Sequence, residues 1–172
     1  MTETNPNEAI EPALQQNGMV PPHGLTEAIH IGETDLPFVD AGDGTLLQLL
    51  QVDLNQGLWV LRTRFPAGHR VSKHYHTGPV FAVTFSGSWC YEEYPEYKNT
   101  AGSYLYEPAH SLHTLVVGDK GADIWFSIYG ANVNVDTANN VTGVTDAQSI
   151  LAAYQGLCAA QGLNCEKLII KQ

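Results

Sequence analysis

From Asp35 to Tyr129 the chain alternates short apolar runs with glycine, proline and asparagine, the spacing of strands and tight turns. Residues 46–52 read as a mostly apolar strand and 58–65 as a second, separated by the turn Asn55-Gln56-Gly57. In the second, Trp59, Leu61, Thr63 and Phe65 share one face, and Val60, Arg62 and Arg64 share the other. Ala41-Gly42-Asp43-Gly44 makes an earlier turn, and Pro66-Ala67-Gly68 ends the second strand. Further strands are predicted at 80–85, closed by Ser86-Gly87, and at 89–94, 103–106, 113–117 and 123–129. Strands this short and this closely spaced predict an all-β sandwich or small barrel, and closing a barrel removes exposed sheet edges.

The two ends of the chain break this pattern. Residues 1–20 are polar, carry Pro6, Pro12 and Gly18 and hold no period, so they read as a flexible N-terminal arm. Near the C-terminus Ile150, Leu151, Tyr154, Leu157 and Cys158 recur at helical spacing, and Gly162 supplies a stop. An amphipathic helix is predicted over 146–161, with Thr145 as N-cap reaching the backbone of Gln148. Gly156 inside it costs about 1 kcal/mol relative to Ala. The resulting plan is an arm over 1–20, a barrel over 21–144, and a helix and tail over 145–172.

Composition narrows the function classes. A chain of 172 residues supports one ordinary core, and 44% hydrophobic with 15% charged residues is a globular balance. The net charge of −10 comes without any Lys/Arg cluster, which argues against nucleic acid and anionic membrane as partners. No stretch approaches the ~20 apolar residues of a membrane span. The acidic, polar start lacks the basic and apolar regions of a signal peptide. Three cysteines, Cys90, Cys158 and Cys165, show no metal-binding spacing and leave one unpaired even if two bridge. A cytoplasmic, reducing location is the expectation.

The chemistry concentrates between Gly68 and Val117, which hold five of the seven histidines. His74 and His76, one residue apart, project to the same face of an extended backbone. They form a ready ligand pair, and His113, in a later strand-like segment, completes a three-nitrogen site if the two segments fold side by side. The alternative is an exposed His-x-His loop with His113 as a buried, hydrogen-bonded residue. His23 and His30 read as surface or capping histidines, and His69 lies too early in its loop to reach a metal.

Gly68, His74, His76 and Gly87 fit the first signature motif of the cupin superfamily, and Gly102, Pro108 and His113 fit the second. The first motif's glutamate is replaced by Val80 (or Phe81 in the longer spacing). In the second, His110 replaces a glycine and Val117 an asparagine. The block therefore resembles a single cupin, a double-stranded β-helix or jelly-roll barrel. Its wording is closer still to one family. Gly78-Pro79-Val80, the strand end Phe85-Ser86-Gly87-Ser88-Trp89, and the run from Ala101 to Leu115 are similar to 2,4'-dihydroxyacetophenone dioxygenases. This resemblance implies Fe(II) held by His74, His76 and His113, and O2 used to cleave a C–C bond beside a ketone. The expected partners are a small-molecule ketone and O2, and the arm and helix suggest a homo-oligomer.

Three neutral imidazoles leave a divalent ion its full charge and open positions, which favours an anionic, bidentate substrate such as the enolate of a hydroxyketone. The same ligands suit a tetrahedral zinc. Tyr91, Glu93 and His110 are the catalytic candidates, His110 as a proton shuttle. Tyr94, Tyr97, Tyr104, Tyr106 and Trp89 crowd the same segment and read first as packing residues. Glu92, Glu96 and Glu107 offer a partner for a ligand histidine or a fourth ligand, with a solvated surface carboxylate as the ordinary reading. Arg62 and Arg64 offer a partner for an anionic substrate. A zinc-binding cupin acting as a sensor or regulatory module is the competing class, since similar cupins occur in anti-sigma factors. A sugar isomerase is a weaker third, lacking both the motif glutamate and a phosphate-binding cluster.

Overall fold

The computed structural model describes residues 28–171. The expected polar arm, residues 1–20, lies outside them. Two strands organise the fold: β5 (Val80–Tyr91) and β8 (Leu115–Tyr129). They pair antiparallel from Val80 opposite Ile128 to Tyr91 opposite Leu115. Each absorbs two of the predicted short strands, so the expected breaks at Ser86-Gly87 and between 117 and 123 are not turns. They are β-bulges, with register shifts between Thr84 and Ser86 and between Gly87 and Trp89. Gly87 has φ +74°, and a Cβ there would collide with the Gly121 carbonyl oxygen. Glycine is required because two backbones touch where the pair bends, and the ladder runs on through the bend.

Around this pair the large sheet adds β1 (Val39–Asp40), β2 (Leu46–Asp53), β3 (Leu58–Phe65) and β6 (Tyr94–Thr100) in the order β1-β2-β3-β8-β5-β6. Strand β7 (Tyr104–Glu107) also pairs with β5, and β11 (Ile169–Lys171) pairs parallel with β2. A second sheet of three strands stacks β4 (His74–His76), β9 (Asn132–Val135) and β10 (Val141–Thr145) in the order β10-β9-β4. The inward rows fill the barrel with Leu49, Val52, Val80, Ile124 and Trp89, all buried, and the Trp89 indole donates to Thr84 Oγ1 at 2.9 Å. Of the two faces of β3, the one carrying Trp59, Leu61 and Thr63 is the buried one, and Val60 on the other face is buried as well.

Helix α1 runs Ala147–Ala160 and packs mainly on β2. Its N-cap is Asp146, not Thr145: Ser149 N–H donates to Asp146 Oδ1 at 2.8 Å, and Asp146 N–H donates to Ser149 Oγ at 2.7 Å. Thr145 is instead the last residue of β10, paired with Asn132, so its backbone is committed to the sheet. The buried side is Ala147, Tyr154 and Cys158, and the Tyr154 hydroxyl donates to Pro37 O at 2.7 Å. No helix among the described residues is long and apolar enough to cross a membrane.

Candidate metal centre

His74 and His76 lie on β4, whose period-two alternation turns both rings into the barrel. Reciprocal backbone bonds bring the third histidine alongside: His74 N–H donates to His113 O at 3.0 Å and His113 N–H to His74 O at 2.9 Å. Residues directly opposite in an antiparallel rung point to the same face, so His74 and His113 meet. His110 N–H adds a bond to His76 O at 2.7 Å, tying the second motif's loop to β4. His110 has φ +67°, which is why the general motif carries glycine at this position.

The three imidazoles form a buried group in which one ligand atom from each lies within 4.8 Å of the others. Ring centroids are 4.7 Å apart for His74 and His113, 5.1 Å for His74 and His76, and 6.0 Å for His76 and His113. Desolvation holds the rings neutral, pushing His76 and His113 down to about 3 and lowering His74 as well. His74 Nδ1 lies 2.7 Å from Ser72 O and so carries the proton, which leaves Nε2 with its lone pair inward.

A buried carboxylate lies beside two of the three rings. Glu107 is 4% exposed, which corrects the surface reading it shared with the other glutamates. Its Oε2 lies 3.2 Å from His113 Nε2 and 3.6 Å from His76 Nε2. Burial raises its pKa to about 7, against the lowering effect of a hydrogen bond from Tyr91. The Tyr91 hydroxyl donates to Glu107 Oε1, and the Tyr91 ring stacks on His113 with centroids 4.0 Å apart. Tyr91 is thereby buried and its pKa pushed well up. Strand parity accounts for the placement of Glu107: Leu105 and Glu107 alternate with exposed Tyr104 and Tyr106, so both point inward.

The other expected residues divide. Glu93 Oε2 accepts from the Thr114 backbone at 2.9 Å, beside His113, and its charge tends to raise His74. The exposed His110 ring packs at 5.9 Å from Tyr75, apart from the three-histidine group. Glu92 pairs with Arg70 on the surface. Arg62 and Arg64 face outward, not into the barrel, because Asp123 takes Arg62 Nε at 2.6 Å and Arg64 Nε at 2.9 Å. His69 stacks on Phe65. Tyr91, Asn99, Leu105, Glu107 and Ser111 line a cleft of about 460 Å³, with Tyr94, Tyr97, Tyr104 and Tyr106 along its walls.

A bent antiparallel barrel with inward histidines from two facing segments and a buried carboxylate defines a cupin with a candidate metal centre. The chain belongs to the ChrR cupin-like domain family, whose model matches residues 26–131. A protein of unknown function with a cupin-like fold from Ralstonia eutropha JMP134 is 33% identical, with TM-score 0.78 over 86% of this chain and 94% of that one. An RmlC-like cupin from the same organism is 23% identical, with TM-score 0.77 over 83% and 94%. An acetylacetone dioxygenase from Acinetobacter johnsonii is 20% identical, with TM-score 0.67 over 78% and 95%. The last two likenesses establish the fold. No curated protein matches the chain.

Proposed function

We propose that this protein is a non-haem Fe(II) dioxygenase that uses O2 to cleave a C–C bond beside a ketone. Its substrate is an aryl α-hydroxyketone of the 2,4'-dihydroxyacetophenone kind, giving two carboxylic acids. One observation carries the reading. His113 Nε2 and Glu107 Oε2 are buried, 3.2 Å apart, and neither has a hydrogen-bond partner; His76 Nδ1 is unpartnered too. Two electron-rich atoms facing each other in a desolvated site are costly unless a proton or a cation sits with them. The residues fit a divalent cation held by His74, His76 and His113, with Glu107 Oε2 beside it.

Bound there, iron supplies Lewis acidity toward the ketone oxygen and the redox chemistry that O2 requires. The chain's own residues prepare the substrate. Tyr91 holds Glu107 Oε1, so Oε2 is the oxygen left facing the histidines. Glu107 Oε2, buried and facing the histidines, is placed to take the proton released when the hydroxyketone ionises. Tyr91 and Leu105 give the cleft apolar walls, and Asn99 and Ser111 add hydrogen-bonding groups, a mixture suited to a small ring-bearing ketone. His110, near the outside, exchanges protons with solvent, and Glu93 positions Thr114 and through it His113. The fold shared with an acetylacetone dioxygenase supports the reaction class.

The ChrR-type family model favours one other reading, a zinc-binding cupin acting as a sensor or regulatory module. Anaerobic metal analysis followed by oxygen uptake separates the two. Iron at one per chain, with uptake and paired carboxylic acids from a panel of α-hydroxyketones and β-diketones, is the expected result. Tightly held zinc, with no uptake after iron loading, would replace the enzyme by the sensor.

A further inference from the structure

The outer face of the large sheet is aromatic where solvent meets it. Register places Phe81 between Tyr106 and Ser127, and Val83 between Tyr104 and Trp125, with Phe85 next on the same parity. Their neighbours Val80, Ala82 and Thr84 fill the barrel, so this row stands outside. Tyr104 is 64% exposed, Tyr106 55% and Phe85 50%. Phe81 and Tyr106 pack ring to ring at 5.6 Å.

The adjoining outer face, on β2 and β3, is covered. The Gln48 amide there donates to Glu33 O and Leu36 O, and Phe38 lies under the Arg64 guanidinium at 3.9 Å. This cover reaches Arg62, which sits over Phe85 at 4.6 Å. Past Arg62 the outward aromatic row has no comparable cover among the described residues. Monomeric proteins rarely leave a contiguous apolar patch of that kind to water.

We propose that the outer aromatic face of β5, β7 and β8 is the interface with a second copy of this chain. Two properties select that occupant. The first is area: Tyr104, Tyr106 and Phe85, half or more exposed, with the partly buried Phe81, Val83 and Trp125 beside them, offer on the order of 400–500 Å², more than half of the ~800 Å² that each partner contributes to a standard interface. The second is charge. The chain carries −10, yet the cluster bordering this face, Arg62 and Arg64 against Asp123 and Glu33, balances to zero. A second acidic copy can approach here without meeting excess negative charge, and a two-fold axis lays the aromatic row against itself.

Light scattering on the full chain, combined with acrylamide quenching of tryptophan fluorescence, tests this. Of the three tryptophans Trp59 and Trp89 are buried, so the quenchable one is Trp125. The wild type is expected at twice 18.7 kDa at micromolar concentration, with Trp125 protected. Tyr104→Lys with Tyr106→Lys should weaken the dimer at least ~30-fold and expose Trp125. Val144→Lys, equally exposed but on the other sheet, should leave the dimer intact. A dimer that survives the double change would overturn the proposal. So would a monomeric wild type: with Trp125 protected, residues 1–27 cover the face in cis, and with Trp125 quenched, the face awaits a different protein.

Discussion

Val80 and Glu107 lie directly opposite each other across β5 and β7. Val80 stands where the general cupin motif carries a glutamate, and it is fully buried. The carboxylate has moved one strand sideways and still points at the histidines. Val80→Glu should therefore place two carboxyl groups in one desolvated space, costing about 3 kcal/mol, or roughly 6–12 °C in Tm. Adding Glu107→Val to it should recover most of that loss, which thermal melts of the single and double variants would show. A Val80→Glu protein as stable as the wild type would mean the two positions do not share a space.

Glu107→Gln keeps the volume and the contact with Tyr91 but removes the charge. Metal affinity should fall about 10–100-fold, and oxygen uptake by the metal-saturated variant should fall further than binding does. Competition with a chelator and single-turnover uptake measure the two losses separately.

His113→Ala should weaken metal binding by at least about 100-fold, since it removes a ligand and breaks the stack with Tyr91. His110→Ala should leave metal content unchanged, because its ring stands apart from the group. Metal analysis of both variants after identical loading decides this.

Without metal the protein should lose stability on acidification below pH 6.5. Burial lowers the folded pKa of His76 and His113 from 6.5 to about 3, so their contribution is complete above 6.5 and declines as the unfolded chain takes up protons below it. Glu107 works the other way. Its folded pKa is raised from 4.5 to about 7, so it favours the folded state as pH falls through that interval. Two imidazoles outweigh one carboxyl, and the lowered His74 adds to them. Urea midpoints of the chelated protein from pH 7.5 to 5 should decline, and a rise would contradict the burial of the histidines.

Asp146→Ala should cost about 1 kcal/mol and 2–4 °C in Tm, with Thr145→Ala nearly silent at the cap. Equal effects would restore the cap to Thr145.

What the sequence made legible follows the physics of short-range pattern. His-x-His on an extended backbone fixes its own parity, and the motif spacing delivers His113, so the ligand set could be read. The apolar rows and the helix could be read as well. Glu107 was hidden because its importance depends on a neighbour 27 positions earlier in the chain, Val80, which no local window contains. The breaks expected in β5 and β8 arose because glycine marks both a turn and a bulge, and only the partner strand distinguishes them. Strands β6 and β10 escaped because their side chains are largely polar or exposed, and β9 because its Asn-Val alternation spans only four residues.

The reciprocal rung between His74 and His113 has a consequence for metal choice. Main-chain bonds fix the register of two of the three candidate donors, so their spacing is set by the sheet and not by the radius of the ion between them. Discrimination among first-row ions is then left to intrinsic donor preference, which favours copper and zinc over iron. The occupant inside a cell would be decided by which ion is supplied when the chain folds, and the same polypeptide purified from differently fed cultures should carry different metals.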